Sequence, residues 1–366
     1  MSPVHWRPSK RVWFSAEKDA AHRRQLHRML GLSAPITCGL CFAGVAMDAL
    51  LGEPSHAHPL VAFGKLATRI ERALNPHGAA PHRSAQDGSG HGEGYVPSTH
   101  ASPSLFARLA GIAAWAIAVI PPVALLAVLT HVLPAALSWP LHAIALWFAL
   151  GARSLVDHIA PVEPALQAGE LERARALTSR VVTRDLSEAD EAAVAKAAIE
   201  SALENGNDAI FGALFWFVVA GGPGALAFRL INTLDAMWGY RTPRMHYFGW
   251  AAARLDDAAN YLPARLTALT YALCGDARNA FACWRAQASA WESPNAGPVM
   301  ASGAGSLNVA CGGAARYHGL LEARPILGSG AMPEAADIGR ALSLVKRSVG
   351  LWLIAIACAA AVSTFL

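Results

Sequence analysis

Lys196, Glu200, Glu204 and Asp208 recur at every fourth position. On a continuous helix that spacing lines them along one slowly drifting face. Lys196 and Glu200 read as a solvated face carrying a Lys–Glu pair. Glu204, Asn205 and Asp208 read differently, because they run directly into the apolar segment IFGALFWF. Oxygen-bearing side chains at such a boundary suit Mg2+, which takes carboxylate and phosphate oxygens and keeps several waters. Asn232 and Asp235, three apart in the apolar LINTLDAMWGY, are neighbours on a helix, and Gly239, Tyr240 and Arg241 follow at once. A further group comprises Arg254, Asp256, Asp257, Asn260 and Arg265. Arg254 and Asp257 can pair at i,i+3, while Asp256 and Asn260 share another face; internal salt bridging and a binding site both account for this pattern. Ser293-Pro-Asn295-Ala-Gly297 opens a run of small residues reaching Gly312-Gly313, where a ligand can approach the backbone and amides can cradle an anion. An ionised side chain in apolar surroundings costs several kcal/mol unless it is paired, ligates a metal or faces water. Its repeated use between Glu200 and Arg265 marks a site.

The elements that must position these groups are helices in or on a membrane. Of 366 residues, 54% are hydrophobic and 15% charged, against about 25% charged in ordinary soluble domains. Mean hydropathy is +0.31. The expected fold is all-α: a polytopic integral membrane helical protein with amphipathic surface helices and a flexible loop. The net charge of +4 and the lack of basic patches interleaved with aromatics argue against a nucleic-acid partner. Cys38 and Cys41 form a CxxC without a second pair at zinc spacing, and the thiols read as structural. No GxxxxGK[ST] phosphate loop occurs.

Three units are expected: a basic extension over 1–35 that reads as a cytoplasmic flank, a membrane-embedded catalytic domain over 36–340, and a terminal membrane helix over 341–366, apolar from Val349. Ile36–Leu51 is short for a span and contains Asp48, so it reads as half-buried or re-entrant. Leu60–Leu74 reads as an amphipathic helix along the membrane, with Lys65, Arg69 and Arg72 on its polar side. Residues 75–104, rich in Gly, Pro, Ser and His, read as a flexible loop. Leu105–Leu133 and Ala135–Gly151 are the clearest spans, the first kinked or divided at Pro121-Pro122. Surface helices are expected over Pro164–Thr178 and Ser187–Glu204, the latter opening on a capping box of Ser187 and Asp190. Gly221-Gly222-Pro223-Gly224 should break the apolar run between Ile210–Ala220 and Ala225–Trp238. Helices are expected at Phe248–Tyr261 and Pro263–Cys274. If 36–51 does not cross, the polar stretch 152–208 lies on the cytoplasmic side, and this arrangement is preferred.

Asp48 with GEP at 52–54, His58-Pro59, Arg184-Asp185, ESALEN at 200–205 with Asp208, NTLDAMWGY at 232–240, FGWAAARLDDAANYLPAR at 248–265, SPNAG at 293–297 and the Gly312–Gly319 stretch occur in this order. Over roughly residues 40–330 the chain thereby resembles the CobD/CbiB family of integral membrane adenosylcobinamide-phosphate synthases.

The resemblance implies cobalamin biosynthesis: an ATP-dependent amide ligation joining the propionate of (adenosyl)cobyric acid to aminopropanol or its O-phosphate. A carboxylate is a poor acyl donor until phosphorylated, and transfer from ATP calls for Mg2+ and cations to offset charge on phosphate oxygens. Glu204, Asp208 and Asp235 are then assigned to metal or to amine deprotonation, with Asp257 counted among the catalytic acids. Arg184, Arg254 and Arg265 are assigned to phosphate or propionate. Asn205, Asn232 and Asn260 orient substrate, and Ser293 and Asn295 approach an anionic group. The implied setting is the inner cell membrane with lipid around the spans, an active face toward the cytoplasm and other cobalamin-pathway enzymes as neighbours. The rival readings are a membrane transporter, against which the lack of a visible inverted repeat counts, and a scaffold for corrin-pathway components.

Overall fold

The computed structural model describes residues 32–53, 59–76, 101–240, 242–317 and 320–365. The basic extension up to residue 31, His58, most of the 75–104 segment, Arg241 and Gly319 lie outside the described residues. The fold is helical, with five stretches among the described residues long and apolar enough to cross a membrane: Ala34–Leu51, Ser104–Val132, Ala135–Gln167, Glu191–Trp238 and Ala335–Phe365.

Helix α1 (Ala34–Leu51) starts behind Ser33 with a proline in its first turn and ends at Gly52, whose φ of 62° a side chain would resist. Its 18 residues rise about 27 Å at 1.5 Å each, close to the roughly 30 Å hydrocarbon core. The reading of this segment as too short to cross is thereby corrected. Asp48 lies one turn from its end, buried, and accepts the Arg153 N–H at 2.9 Å. Helix α2 (Pro59–Leu74) buries Phe63, Ala67 and Glu71 and exposes Lys65, Arg69 and Arg72, the amphipathic division expected of it. Asn75, assigned to the loop from its neighbours, is instead buried and bonded to Glu71, which also pairs with Arg244.

Helix α3 (Ala101–Val132) runs through Pro121 and Pro122 undivided, against expectation. After α4 (Ala135–Ala149) come α5 (Ala152–Ile159), α6 (Val162–Gln167) and α7 (Leu171–Thr178). Gly169, at φ 71°, turns the chain between α6 and α7 where one helix was expected. Helix α8 (Glu191–Gly206) is capped by Asp190, whose carboxylate accepts the Ala193 N–H at 2.8 Å. Ser187 therefore starts no helix; its N–H is held by Asp185 at 2.9 Å.

Helix α8 passes through one π turn (Asn207–Phe211) into α9 (Gly212–Trp238), which breaks at Ala220-Gly221 as the glycine cluster required. Gly221 has a φ of 62°, and the freed Gly222 N–H donates to His142 Nδ1 at 2.8 Å. Helix α10 (Trp250–Cys274) does the opposite: it is continuous through Pro263, where two helices were expected. Proline cannot donate to the carbonyl four residues back. Trp216 from α9 supplies that donor, its Nε1 lying 2.9 Å from the Ala259 oxygen.

Helices α11 (Ala277–Gln287) and α12 (Ala296–Leu307) precede two small antiparallel pairs, β1 (Cys311–Gly312) with β4 (Ile326–Leu327) and β2 (Ala315–Tyr317) with β3 (Leu320–Glu322). Helix α13 begins at Ala335, well before the apolar run at Val349, and extends to Phe365. The main core joins Leu146, Ile199, Leu203, Phe211, Phe217 and Tyr271 from four helices. A second core gathers Phe63, Trp238 and Phe248.

Candidate active site

Polar residues of the π turn, α9 and α10 meet in one network. Asn207, in the π turn, donates to Asp208 Oδ1 and to Asn260 Oδ1, both at 2.9 Å, and accepts the Thr267 hydroxyl at 2.9 Å. Asn260 passes the chain on by donating to Asp256 Oδ2 at 3.1 Å. Asn232, from α9, reaches Asp256 Oδ1 at 3.4 Å. The π turn matters here because its wider ring re-aims side chains within an otherwise regular helix, a feature often found at functional sites. Asp208 and Asp235 are half-buried and act electrostatically on Asp256 and on each other.

Asp256 sits at the centre of this arrangement. Burial pushes its carboxyl up to about 6, while hydrogen bonds from Asn260 and Asn232 hold it back and Asp257 adds to the rise. Asn260 is almost fully buried and spends its amide on Asn207 and Asp256, so it positions other groups rather than presenting itself to a ligand. Tyr271 is likewise buried and donates to the Leu203 oxygen at 3.0 Å; burial, then the nearby Asp208, raises its phenol far above the usual range.

A second polar group surrounds Glu200, which is buried rather than solvated as its spacing suggested. Arg184 pairs with it, Arg324 stands 3.9 Å from its Oε2, and the Gly312 N–H donates to its Oε1 at 2.6 Å. Glu204 feels the charges of this group, repelled by Glu200 and attracted by Arg324 and Arg184. Arg324 also lies over the Trp291 ring at 4.2 Å. Arg184 thus anchors an internal carboxylate.

Arg265 and the SPNAG segment form a third group. Arg265 donates to Asn295 Oδ1 at 2.6 Å and to the Pro294 oxygen at 3.0 Å, and lies 3.7 Å over the Tyr261 ring. Asn295 in turn donates to the Asp257 carbonyl oxygen at 2.8 Å. Ser293 Oγ accepts the Ala296 N–H at 3.1 Å at the start of α12. Arg254 is exposed and pairs with Asp257 at 3.0 Å, the i,i+3 pairing the sequence suggested. Asn205 belongs to none of these three groups: it donates to Ser201 and faces a cavity shared with Arg229 and Glu53.

Among the described residues no three His, Cys, Asp or Glu side chains stand together as a metal cage. Glu204, Asp208 and Asp235 therefore form no closed three-ligand set, and Asp208 is engaged by the Asn207 amide. Asp208 and Asp235 each interact electrostatically with Asp256, and one or two carboxylates, with water and phosphate oxygens completing the shell, are what Mg2+ takes. Sequence reading passed over Asn207, Thr267 and Arg324, read Glu200 as solvated, and left Asp256 out of the candidate set. The pairing of Asp256 with Asn260 at i,i+4 was the one available signal among these.

The family model described as CobD/Cbib protein matches residues 41–345. The chain is 53% identical over 308 residues to a cobalamin biosynthesis protein CobD of Stutzerimonas stutzeri, covering 84% of this chain and 93% of the relative. The corresponding protein of Chromobacterium violaceum is 51% identical over 322 residues, covering 86% and 94%. That of Mycobacterium tuberculosis H37Rv is 38% identical over 310 residues, covering 83% and 89%. No solved structure matches.

Proposed function

This chain belongs to the CobD/CbiB family, and from that premise we propose that it serves cobalamin biosynthesis as an amide-forming enzyme of the membrane, joining (adenosyl)cobyric acid to aminopropanol or its O-phosphate with Mg-ATP. The observation that carries this reading is the network from Asp208 through Asn207 and Asn260 to Asp256, built on the π turn and α10 and closed by Asn232 of α9. Mg-ATP, when bound, would supply the activation that makes a carboxylate an acyl donor; Asp208 and Asp235 are the residues proposed to hold the ion. Amide formation also requires the amine to lose a proton before it can act as a nucleophile. A carboxylate whose affinity for protons lies near the working pH is a better general base than an ordinary one. Asp256 has that property, and its two amide partners fix the direction of its oxygens. Arg265, steadied by Asn295 and Tyr261, is proposed for an anionic substrate group.

The active face is proposed to be cytoplasmic. The length of α1 removes the argument that it does not cross, so the assignment rests on the need for ATP. The test is mass spectrometry of purified, detergent-solubilised protein incubated with adenosylcobyric acid, Mg-ATP and aminopropanol phosphate. A product heavier by the amine minus water, formed only with ATP, is expected. Asp208→Asn and Asp235→Asn should each abolish it while leaving the protein inserted; full activity in both would remove the metal assignment.

A further inference from the structure

Helix α9 is long enough to cross a membrane but folds back instead. Gly212 lies against the Phe228 ring and Gly224 against the Trp216 oxygen, so closely that a Cβ on either glycine would clash. In a straight helix Gly212 and Phe228 would stand about 24 Å apart. The break at Ala220-Gly221 therefore returns residues 222–238 along residues 212–219, which is how Asp235 comes to act on Asp208. The rise from Asp208 to Ala220 is about 18 Å, short of the roughly 30 Å hydrocarbon core. At the tip the broken backbone is covered by α4, whose His142 accepts the Gly222 N–H.

Beside this tip is a cavity of about 620 Å³. Phe215, Val218 and Gly221 of the hairpin form one wall, residues 351–360 of α13 a second, and Leu266, Leu269 and Leu273 of α10 a third, with the start of α1 closing it. No charged side chain lines it. Each polar side chain in the wall is engaged: Thr37 donates to the Ser33 oxygen at 3.1 Å, Thr270 to the Leu266 oxygen at 2.7 Å, and Trp352 Nε1 to Thr270 Oγ1 at 3.0 Å. A polar ligand would lose its hydration there without gaining partners, whereas a hydrocarbon chain loses nothing. Val218, Leu266, Leu269 and Leu273 keep exposed surface, as do Ala355 and Ala359, so the walls meet the bilayer directly. One turn before Leu351 on the same face of α13 stands Arg347, exposed and engaged among the described residues with the Ser343 oxygen alone, at 3.4 Å. Lys346 beside it is exposed as well.

We propose that this cavity holds one acyl chain of an anionic phospholipid from the surrounding membrane, with the lipid phosphate against Arg347 and Lys346. The apolar walls take the tail, and the cations at the end of the cavity select the charge of the headgroup. The bound lipid also reaches the acid network through one side chain: Trp352 lines the cavity and stacks on Phe211 of the π turn at 5.4 Å. A filled cavity thus braces the turn that carries Asn207 and Asp208.

The test is native mass spectrometry of the full chain in mild detergent, with added phosphatidylglycerol or phosphatidylcholine of identical acyl chains. One phosphatidylglycerol per chain is expected to be retained, at about fivefold lower concentration than phosphatidylcholine, which is the worth of one cation near a headgroup. Ala359→Phe, which fills the open cavity, should weaken retention at least about tenfold, the equivalent of two buried methylenes. Because Ala359 is exposed, this change should leave lipid-free thermal unfolding unaltered, and Val128→Phe on the exposed face of α3 should retain lipid as the unaltered chain does. Arg347→Gln should remove most of the preference for phosphatidylglycerol while keeping the tail bound, and Arg347→Lys should preserve it. Glycerol phosphate, which has the anion without the tails, should not compete. Retention that survives Ala359→Phe, or that is lost equally in Val128→Phe, would overturn the proposal by assigning the lipid to the general protein surface. Equal retention of the two lipids, or competition by glycerol phosphate, would overturn the headgroup assignment. A dimer that excludes lipid and dissociates in Ala359→Phe would overturn it too, by giving the cavity to a second copy of this chain. None of these readouts needs catalysis, so failure of the amide-forming reading would leave them intact.

Discussion

Replacing Asn260 by leucine keeps most of the side-chain volume and removes both hydrogen bonds that Asn260 contributes, the one accepted from Asn207 and the one donated to Asp256. Asp256 would keep only Asn232, at 3.4 Å. A hydrogen bond to a charged acceptor is worth about 1.5–3 kcal/mol, and one pH unit corresponds to about 1.36 kcal/mol. The acid limb of the rate profile, expected near the Asp256 value of about 6, should therefore move upward by about one to two pH units. The assay is kcat/KM for amide formation from pH 5 to 9 in wild type and Asn260→Leu. A uniform loss of rate with the limb unmoved, or a limb that moves down, would refute the assignment of Asp256. Stability should respond to pH with the opposite sign. The folded chain holds the Asp256 proton more tightly than a carboxyl at the ordinary 3.8, so this group's contribution to stability is full below about 3.8, is lost as pH rises toward about 6, and is constant above.

Trp216→Phe should destabilise the protein by about 1–3 kcal/mol, because the Ala259 oxygen loses the indole N–H that stands in for the proline-deleted donor. Pro263→Ala in the same chain should recover most of that loss, and a double-mutant cycle by thermal unfolding in detergent that shows simple additivity would contradict the argument. Glu200→Ala should cost about 3–5 kcal/mol, since it removes the buried carboxylate that pairs with Arg184 and accepts the Gly312 N–H; an unchanged unfolding temperature would mean that the clamp is not tight. Chelation with EDTA should abolish amide formation and added Mg2+ restore it, with product measured by mass spectrometry. Full activity in excess EDTA would exclude Asp208 and Asp235 as holders of an essential ion.

Local chemistry in the sequence set a large part of this protein. The lengths of the apolar runs determined helices able to cross a membrane, the glycine cluster at 221–224 determined a break, and the amphipathic spacing of α2 placed Lys65, Arg69 and Arg72 outward. The pairings of Arg254 with Asp257 and of Asp256 with Asn260 followed from helical period alone. What spacing could not supply was any partner far along the chain. Glu200 looks solvated beside Lys196, and becomes a buried anchor only because Gly312, 112 residues away, brings a backbone donor to it and Arg324 follows. Asn207 gains its role from Asn260, 53 residues on, and from Thr267. Pro263 was read as a boundary by the rule that proline breaks a helix, and the helix continues because an indole from α9 occupies the orphaned carbonyl. A buried polar group is tolerated when its hydrogen bonds are satisfied, whatever their origin in the chain. Local sequence fixes where such groups arise, and tertiary packing decides which of them are satisfied, and so which become structure and which become site.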